Sequence, residues 1–399
     1  MILPPSPLQC GMNQGKILFS QILECVHSQQ FQRCVNRYPM ARVSKSFSAW
    51  DQFLCMSFAQ MTFRESLRDI EACLAGRPQL YFMGIRGNVT RTNLAYAGEH
   101  RDWRVFADLA AHLIVKARRL YAADTTGLDI EQMVYALDSS TIDLCLTLFP
   151  WAKFRRTKSA IKLHTMIDLH GSIPVFISIT DGKVHDVNIL DVITFEAGSI
   201  YVMDRGYVDF KRLYRIHRSS AFFVLRAKRN MCFYVAVSNV VDGASGLRCD
   251  QLIRLKSAKG KADYPERLRR IRYVDPETGK SLTFITNHFD LPALTVAAIY
   301  KNRWQIELFF KWIKQNLRIK AFYGTHPNAV RSQIWIAICV YLMVAIIKKQ
   351  HGIKESLSRI LQVLSVNVFS KETLHQLLAA STIRDEPITI RNQLIFNDF

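Results

Sequence analysis

Three carboxylates stand out by their setting. Asp138 follows Val134-Tyr-Ala-Leu137, and Asp204 follows Ile200-Tyr-Val-Met203, so each ends a short apolar run of strand-forming residues. If the two strands are neighbours in one sheet, both carboxylates emerge at one place. Like charges held together in a protein interior are unstable without a cation. Mg2+, hard and carboxylate-seeking, is the natural choice. An Asp at a strand end is often only a turn former, so the pair needs a third element. Tyr300, Arg303, Glu307 and Lys314 supply one. On a helix at ~100° per residue, their side chains fall within a stripe of roughly 60°. The apolar stripe of Ile306, Phe309, Phe310, Ile313 and Leu317 lies beside it. The same spacing also allows a plain solvent face with an i,i+4 Arg303–Glu307 pair.

The elements that must position these groups are legible in outline. Residues 12–125 read as an all-helical N-terminal domain, with Phe47, Trp50, Phe53, Leu54 and Phe58 at helical spacing. Around 84–93, two glycines end one element, and Thr90 or Thr92 caps a helix running to about Leu120. That turn suits either helix-turn-helix DNA contact or a plain connector. Residues 126–227 change texture. Ile161–Asp168 and Ile173–Ile179 alternate and read as a hairpin, Val208–His217 as a helix and Ala221–Leu225 as a further strand. The result is a mixed sheet flanked by helices. Residues 228–290 are β-prone and crowded with Lys and Arg, notably the basic run 267–272. Residues 291–345 and 346–399 return to helix. The apolar run Ile334–Ile347 falls short of the ~20 residues that cross a bilayer and reads as a core helix. Met12 begins a stretch like a natural start, so residues 1–11 read as an upstream extension.

Composition narrows the partner. Lys+Arg minus Asp+Glu is 53 − 33 = +20, which favours a polyanion: nucleic acid first, an anionic membrane surface second. A membrane-surface role would want a basic amphipathic helix with a clean apolar face, and none is evident. A hydrophobic fraction of 49% with 24 Phe excludes wholesale disorder. The nine cysteines include no CxxC pair, which argues against a zinc ribbon and a secreted disulfide framework and favours a reducing cytosol.

The string Tyr300-x2-Arg303-x3-Glu307-x6-Lys314 resembles the signature of the insertion-sequence-four family of DDE transposases. Ala136-Leu-Asp138-Ser-Ser-Thr and Val202-Met-Asp204-Arg-Gly-Tyr207 resemble that family's two aspartate motifs. His185-Asp186, Gly324-Thr-His-Pro-Asn-Ala-Val330 and the helical N-terminal stretch from Phe47 to Ile70 also fit. The likeness runs from Met12 to about Ala380, with the motifs in order.

That resemblance implies a ribonuclease-H-like α/β core interrupted by a β-rich insertion, here 228–290, and preceded by the helical domain. It implies Asp138, Asp204 and Glu307 as the catalytic triad and as ligands of two Mg2+ or Mn2+ ions, Asp138 bridging both. Water would cut the phosphodiester at the element end. The freed 3′-OH would then attack a second phosphodiester, through a DNA hairpin, and finally target DNA. Tyr300, Arg303 and Lys314 would hold terminal phosphates. Trp304, Lys311 and Arg205, with Arg269, Arg270 and Arg272 of the basic run, are further candidate DNA contacts; His185 and Asp186 are candidates for supporting the site from behind. The implied partners are the terminal inverted repeats, target DNA and a second copy of the chain in a synaptic homodimer, in a bacterial cytoplasm at the nucleoid, with no membrane. Some relatives stack a flipped base on a Trp of the insertion. None of the six Trp lies in 228–290, leaving Phe233, Tyr234, Tyr264 or Tyr273 for that role. The rival readings are a nuclease of the same fold without strand transfer and a catalytically silent DNA-binding remnant.

Overall fold

Short polar side chains decide where the first helices begin. Ser48, Ser66 and Thr90 each accept the backbone N–H three residues on, and Asp51 returns a bond to Ser48 to complete a capping box. These caps belong to a computed structural model that describes residues 15–39, 47–85, 89–124, 127–128, 130–317, 319 and 321–382. The upstream extension 1–11, part of the turn at 84–93 and the chain beyond 382 lie outside the described residues.

The N-terminal helices are α1 (Leu18–Leu23), α2 (Ser28–Arg37), α3 (Ala49–Met61), α4 (Leu67–Leu74), α5 (Gln79–Phe82), α6 (Arg91–His100) and α7 (Arg104–Tyr121). The stretch expected as one helix from Thr90 to Leu120 is thus two, parted at Arg101. Next come β1 (Val134–Leu144), β2 (Lys153–Arg155), β3 (Lys158–Asp168), β4 (Ile173–Asp181), β5 (Ile200–Met203), α8 (Phe210–Arg218) and β6 (Phe222–Arg226). The basic segment adds β7 (Phe233–Asn239), β8 (Leu247–Leu255), α9 (Ala258–Asp263), β9 (Leu268–Val274) and β10 (Ser281–Thr286). The chain closes on α10 (Ala293–Asn302), α11 (Trp304–Asn316), α12 (Pro327–Gln350), α13 (Leu357–Asn367) and α14 (Leu374–Thr382).

All the strands join one mixed sheet, in the order β2-β3-β1-β5-β6-β10-β9-β8-β7, with β4 on β3. The expected β3–β4 hairpin forms, from Ile161↔Asp181 to Asp168↔Ile173. Gly171 makes its turn at φ +116°, and the Tyr121 ring occupies the space a Cβ there would need, so only glycine lets α7 close on the hairpin. β5 runs parallel to β1 and β6 parallel to β5. The segment 228–290 extends this sheet, because β10 pairs antiparallel with β6 (Phe284↔Arg226) and β9, β8 and β7 follow outward.

Strand alternation gives the sheet two apolar faces. Val134, Ala136, Ile200 and Val202 face the large helical layer. Tyr135, Leu137, Tyr201 and Met203 face the smaller layer that includes Leu213 and Ile216 of α8. The N-terminal helices share the first core with α12. Tyr121 Oη donates to Ala345 O at 3.0 Å, and Asn328 Nδ2 donates to Gly98 O and Arg101 O at 2.8 and 2.6 Å. α12 is long and apolar enough to cross a membrane, yet 94% of its most apolar window is buried here. That burial confirms the core-helix reading of Ile334–Ile347.

One expected DNA contact is instead part of this framework. Arg269 is 5% exposed; it forks onto both Asp250 oxygens at 2.8 and 2.7 Å and donates to Phe289 O at 3.0 Å. Burial works against the Asp250 charge, but the Arg269 fork more than offsets it and holds that carboxyl below its usual range. Arg269 is therefore committed to this buried pairing rather than presented to solvent. Arg269→Ala should cost about 3–5 kcal/mol, because it strands a buried carboxylate. Chemical denaturation checks this; a loss under about 1 kcal/mol would mean the pair is merely superficial.

Candidate active site

The register of β1 and β5 brings the two aspartates together. Tyr135 pairs with Tyr201 and Ala136 with Val202, so the next same-face positions are Asp138 and Asp204. Alternation points both toward the helical layer, with Ala136 and Val202. Asp138 does not end its strand, as the sequence suggested. β1 continues to Leu144 because β3 pairs with it throughout, Asp138 facing Thr165. Asp204 does end β5, and it caps the turn Arg205–Tyr207 by accepting Gly206 N–H at 2.7 Å. A Cβ on Gly206 would lie 2.9 Å from Asp204 Oδ1, closer than atoms tolerate.

Glu307 arrives from the helical layer on α11. The single helix expected through Tyr300 and Lys314 is broken at Arg303, where tighter i→i+3 bonds join α10 to α11 (Arg303 N–H to Tyr300 O, Ile306 N–H to Arg303 O, both 3.1 Å). At that junction Arg303 Nη1 donates to Asp138 Oδ2 at 3.0 Å and Nη2 donates to Glu307 Oε1 at 2.6 Å. The i,i+4 pair allowed by the spacing is therefore made, with Arg303 turned inward and Glu307 exposed. The Arg303 side chain is 15% exposed, against 22% for Asp138 and 56% for Glu307. Arg303, expected to hold a terminal phosphate, is here turned onto two carboxylates and offsets one of their charges. Among the described residues no three His, Cys, Asp or Glu side chains converge closely enough to hold a metal ion as they stand.

Burial pushes the Asp138 carboxyl up to about 6. Its bond from Ser139 N–H and the Arg303 charge pull it back, while the charges of Asp204 and Glu307 raise it further. The Tyr300 ring lies against Phe284 with its centroid 4.8 Å away, and Arg303 Cζ sits 5.6 Å from its own centroid. Burial raises the Tyr300 phenol, with Arg303 opposing. Lys314 Nζ donates to Thr141 O at 3.0 Å, which anchors α11 along β1. Trp304 is 53% exposed, and Lys311 and Arg205 are exposed.

Behind the sheet, Asp186 accepts from Ser139 Oγ at 2.7 Å and from Lys162 Nζ at 3.0 Å. Burial opposes its charge, but those two donors hold its carboxyl below the usual range. His185 is exposed and only precedes this group. Sequence reasoning missed Lys162, Ser139 and Gly206. The position of Ser139 beside Asp138 and the Asp204-x-Gly206 spacing were the available signals. Of the other basic-run residues, Arg270 Nη1 donates to Gln251 Oε1 at 2.7 Å and stacks on Phe233, while Arg272 is exposed. Of the four aromatic candidates, Tyr264 is 1% exposed against Tyr214 and Phe223, which removes it. Tyr234 is 50% exposed, with Lys256 and Lys261 Nζ at 5.6 and 5.5 Å from its ring centroid.

Two outcomes follow from this geometry. The Asp138 carboxyl binds its proton more tightly folded than unfolded, so ionising it costs stability as pH rises from the ordinary aspartate value of 3.8 through about 6. Asp138→Asn should therefore gain on the parent chain between pH 4 and 7, on the order of 2 kcal/mol; thermal unfolding across that range is the check, and a pH-independent difference contradicts it. Gly206→Ala should leave the circular dichroism spectrum intact yet displace Asp204, cutting any activity of the site by roughly 10²-fold.

Residues 130–343, more than half of the chain, match a family described as transposase DDE domain, and residues 14–86 match a domain of unknown function. The chain is 36% identical over 261 residues to a putative transposase of Sinorhizobium fredii, covering 63% of this chain and 70% of that protein. A probable transposase for an insertion sequence element of Geobacillus stearothermophilus is 29% identical over 209 residues, 52% of this chain and 54% of that one. A putative transposase for an insertion sequence element of Synechocystis sp. is 25% identical over 277 residues, 68% and 76% respectively. The matched segment contains Asp138, Asp204 and Glu307. By the extent of that match, the chain belongs to the DDE transposase family.

Proposed function

We propose that this transposase moves an insertion sequence by cut-and-paste transposition, of the insertion-sequence-four type, on a ribonuclease-H-like core. The carrying observation is that Arg303 joins Asp138 of β1 to Glu307 of α11, while Asp204 follows the end of the neighbouring parallel strand β5. Three carboxylates, with Asp138 partly buried, offer hard oxygens and excess negative charge, the donor chemistry that suits Mg2+ or Mn2+. Asp138, Asp204 and Glu307 would hold two such ions. When bound, they supply Lewis acidity to the attacking and leaving oxygens.

The chain's own residues do the rest. Tyr300, Arg303 and Lys314 line the approach from α10 and α11, and they fix the end phosphate for in-line attack by water. Hydrolysis breaks the P–O3′ bond, leaving a 3′-OH and a 5′-phosphate. The 3′-OH then attacks the phosphodiester of the opposite strand, expelling the flanking DNA's 3′-OH to form a hairpin; water reopens the hairpin, regenerating the 3′-OH, which attacks a target phosphodiester and expels the target's 3′-OH. Trp304, Lys311 and Arg205 are exposed at the rim and contact the duplex. Tyr234, exposed between two lysines on β7, is the best-placed aromatic for stacking a displaced base. Lys162, Ser139 and Asp186 buttress β1 from the back. Two ends must be held together for transfer, so the working unit is a homodimer on DNA, acting in a bacterial cytoplasm on the nucleoid.

The deciding experiment uses labelled DNA carrying the element's own ends, with Mg2+ or Mn2+. Glu307→Gln should abolish nicking at the end, at least ~10³-fold, while DNA binding persists. Nicking that survives the substitution removes Glu307 from the chemistry. Cleavage without joining to target DNA favours the nuclease reading, and tight binding with no cleavage by either protein favours the silent remnant.

A further inference from the structure

Arg303 occupies an unexpected place for a residue that should grip DNA. Its fork spans a carboxylate from β1 and one from α11, at 3.0 and 2.6 Å, and its side chain is 15% exposed. Guanidinium is always charged, so this is a permanent cation lodged among acidic side chains. It occupies Asp138 Oδ2 and Glu307 Oε1, two of the four oxygens that an ion shared by those carboxylates could use, and its charge stands where that ion's would. One positive charge is paired with two carboxylates, so the pairing relieves their repulsion without cancelling it.

We propose that Arg303 is the resident cation of the DNA-free site, closing Asp138 and Glu307 to divalent metal until a DNA phosphate draws its guanidinium away. The inference rests on the reading that these carboxylates hold metal. Its logic is competition and linkage. Metal and Arg303 compete for the same oxygens, so each weakens the other's hold. A phosphate prefers the bidentate fork of a free guanidinium. Phosphate and metal therefore favour each other's binding by the same factor, although they bind different groups. The protein away from DNA then keeps its cutting site unloaded. No bond is made or broken in the switch; one ion pair is exchanged for another.

Mn2+ binding to the full chain without DNA, followed by electron paramagnetic resonance of the free ion, tests this directly. Arg303→Gln should bind Mn2+ roughly ten- to a hundredfold tighter than the parent chain, the worth of one or two charged hydrogen bonds. Arg303→Lys should fall between, since it keeps the charge without the fork. Adding Asp138→Asn to Arg303→Gln should erase the gain. A short blunt duplex should tighten Mn2+ binding to the parent chain and not to Arg303→Gln. Equal or weaker binding by a folded Arg303→Gln overturns the proposal. If the parent chain binds Mn2+ and Asp138→Asn abolishes that while Arg303→Gln changes nothing, the metal site stands and only the role of Arg303 falls. If no variant binds Mn2+, the metal reading falls and the proposal with it. Should Arg303→Gln fail to fold, Arg303→Lys decides, since unchanged affinity there also overturns the idea.

Discussion

Confined negative charge governs this molecule. Asp138 is largely buried, and Asp204 and Glu307 add to the potential at its carboxyl. Such a group is tolerated only where something positive reaches it, and Arg303 does so from the break between α10 and α11. The fold has to keep β1, β5 and α11 in register tightly enough for this balance to hold. The sheet provides that by being packed on both sides, so the strands cannot shift without uncovering one face or the other.

The surrounding architecture can be understood as support for that arrangement. Parallel pairing of β1 with β5 up to Ala136↔Val202 sets the strands from which Asp138 and Asp204 follow two residues later. Lys314 ties α11 to β1 through Thr141. Asp186, Lys162 and Ser139 brace the opposite face of β1 directly behind the site. None of these supports comes from the N-terminal helices, which instead complete the core beneath α12.

Much of the site was readable from sequence because carboxylates at strand ends and a polar edge on an amphipathic helix are local patterns. What was not readable depended on partners distant in the chain. The length of β1 was hidden by its polar continuation Ser139-Ser-Thr141, and only pairing with β3 sustains it. The break at Arg303 leaves no glycine or proline to mark it. Arg269 was grouped with its basic neighbours, yet it shares strand parity with buried Ile271, a sign that it faces inward. The β-rich segment reads as a unit of its own in sequence, and its antiparallel edge to β6 is a long-range pairing that no local pattern encodes.

The shared core of the N-terminal helices and α12 has a consequence for gene expression. Phe53, Phe106 and Leu109 lie in one apolar cluster with Ile338, Cys339 and Leu342, more than two hundred residues later in the chain. During synthesis the first helices emerge long before the segment that covers them, and they must wait for it with their apolar faces bare. A message truncated before residue 327 would therefore yield an aggregation-prone fragment rather than a free-standing N-terminal module able to compete with the intact protein. For this chain, a product cut short before α12 lacks the cover that its first helices need.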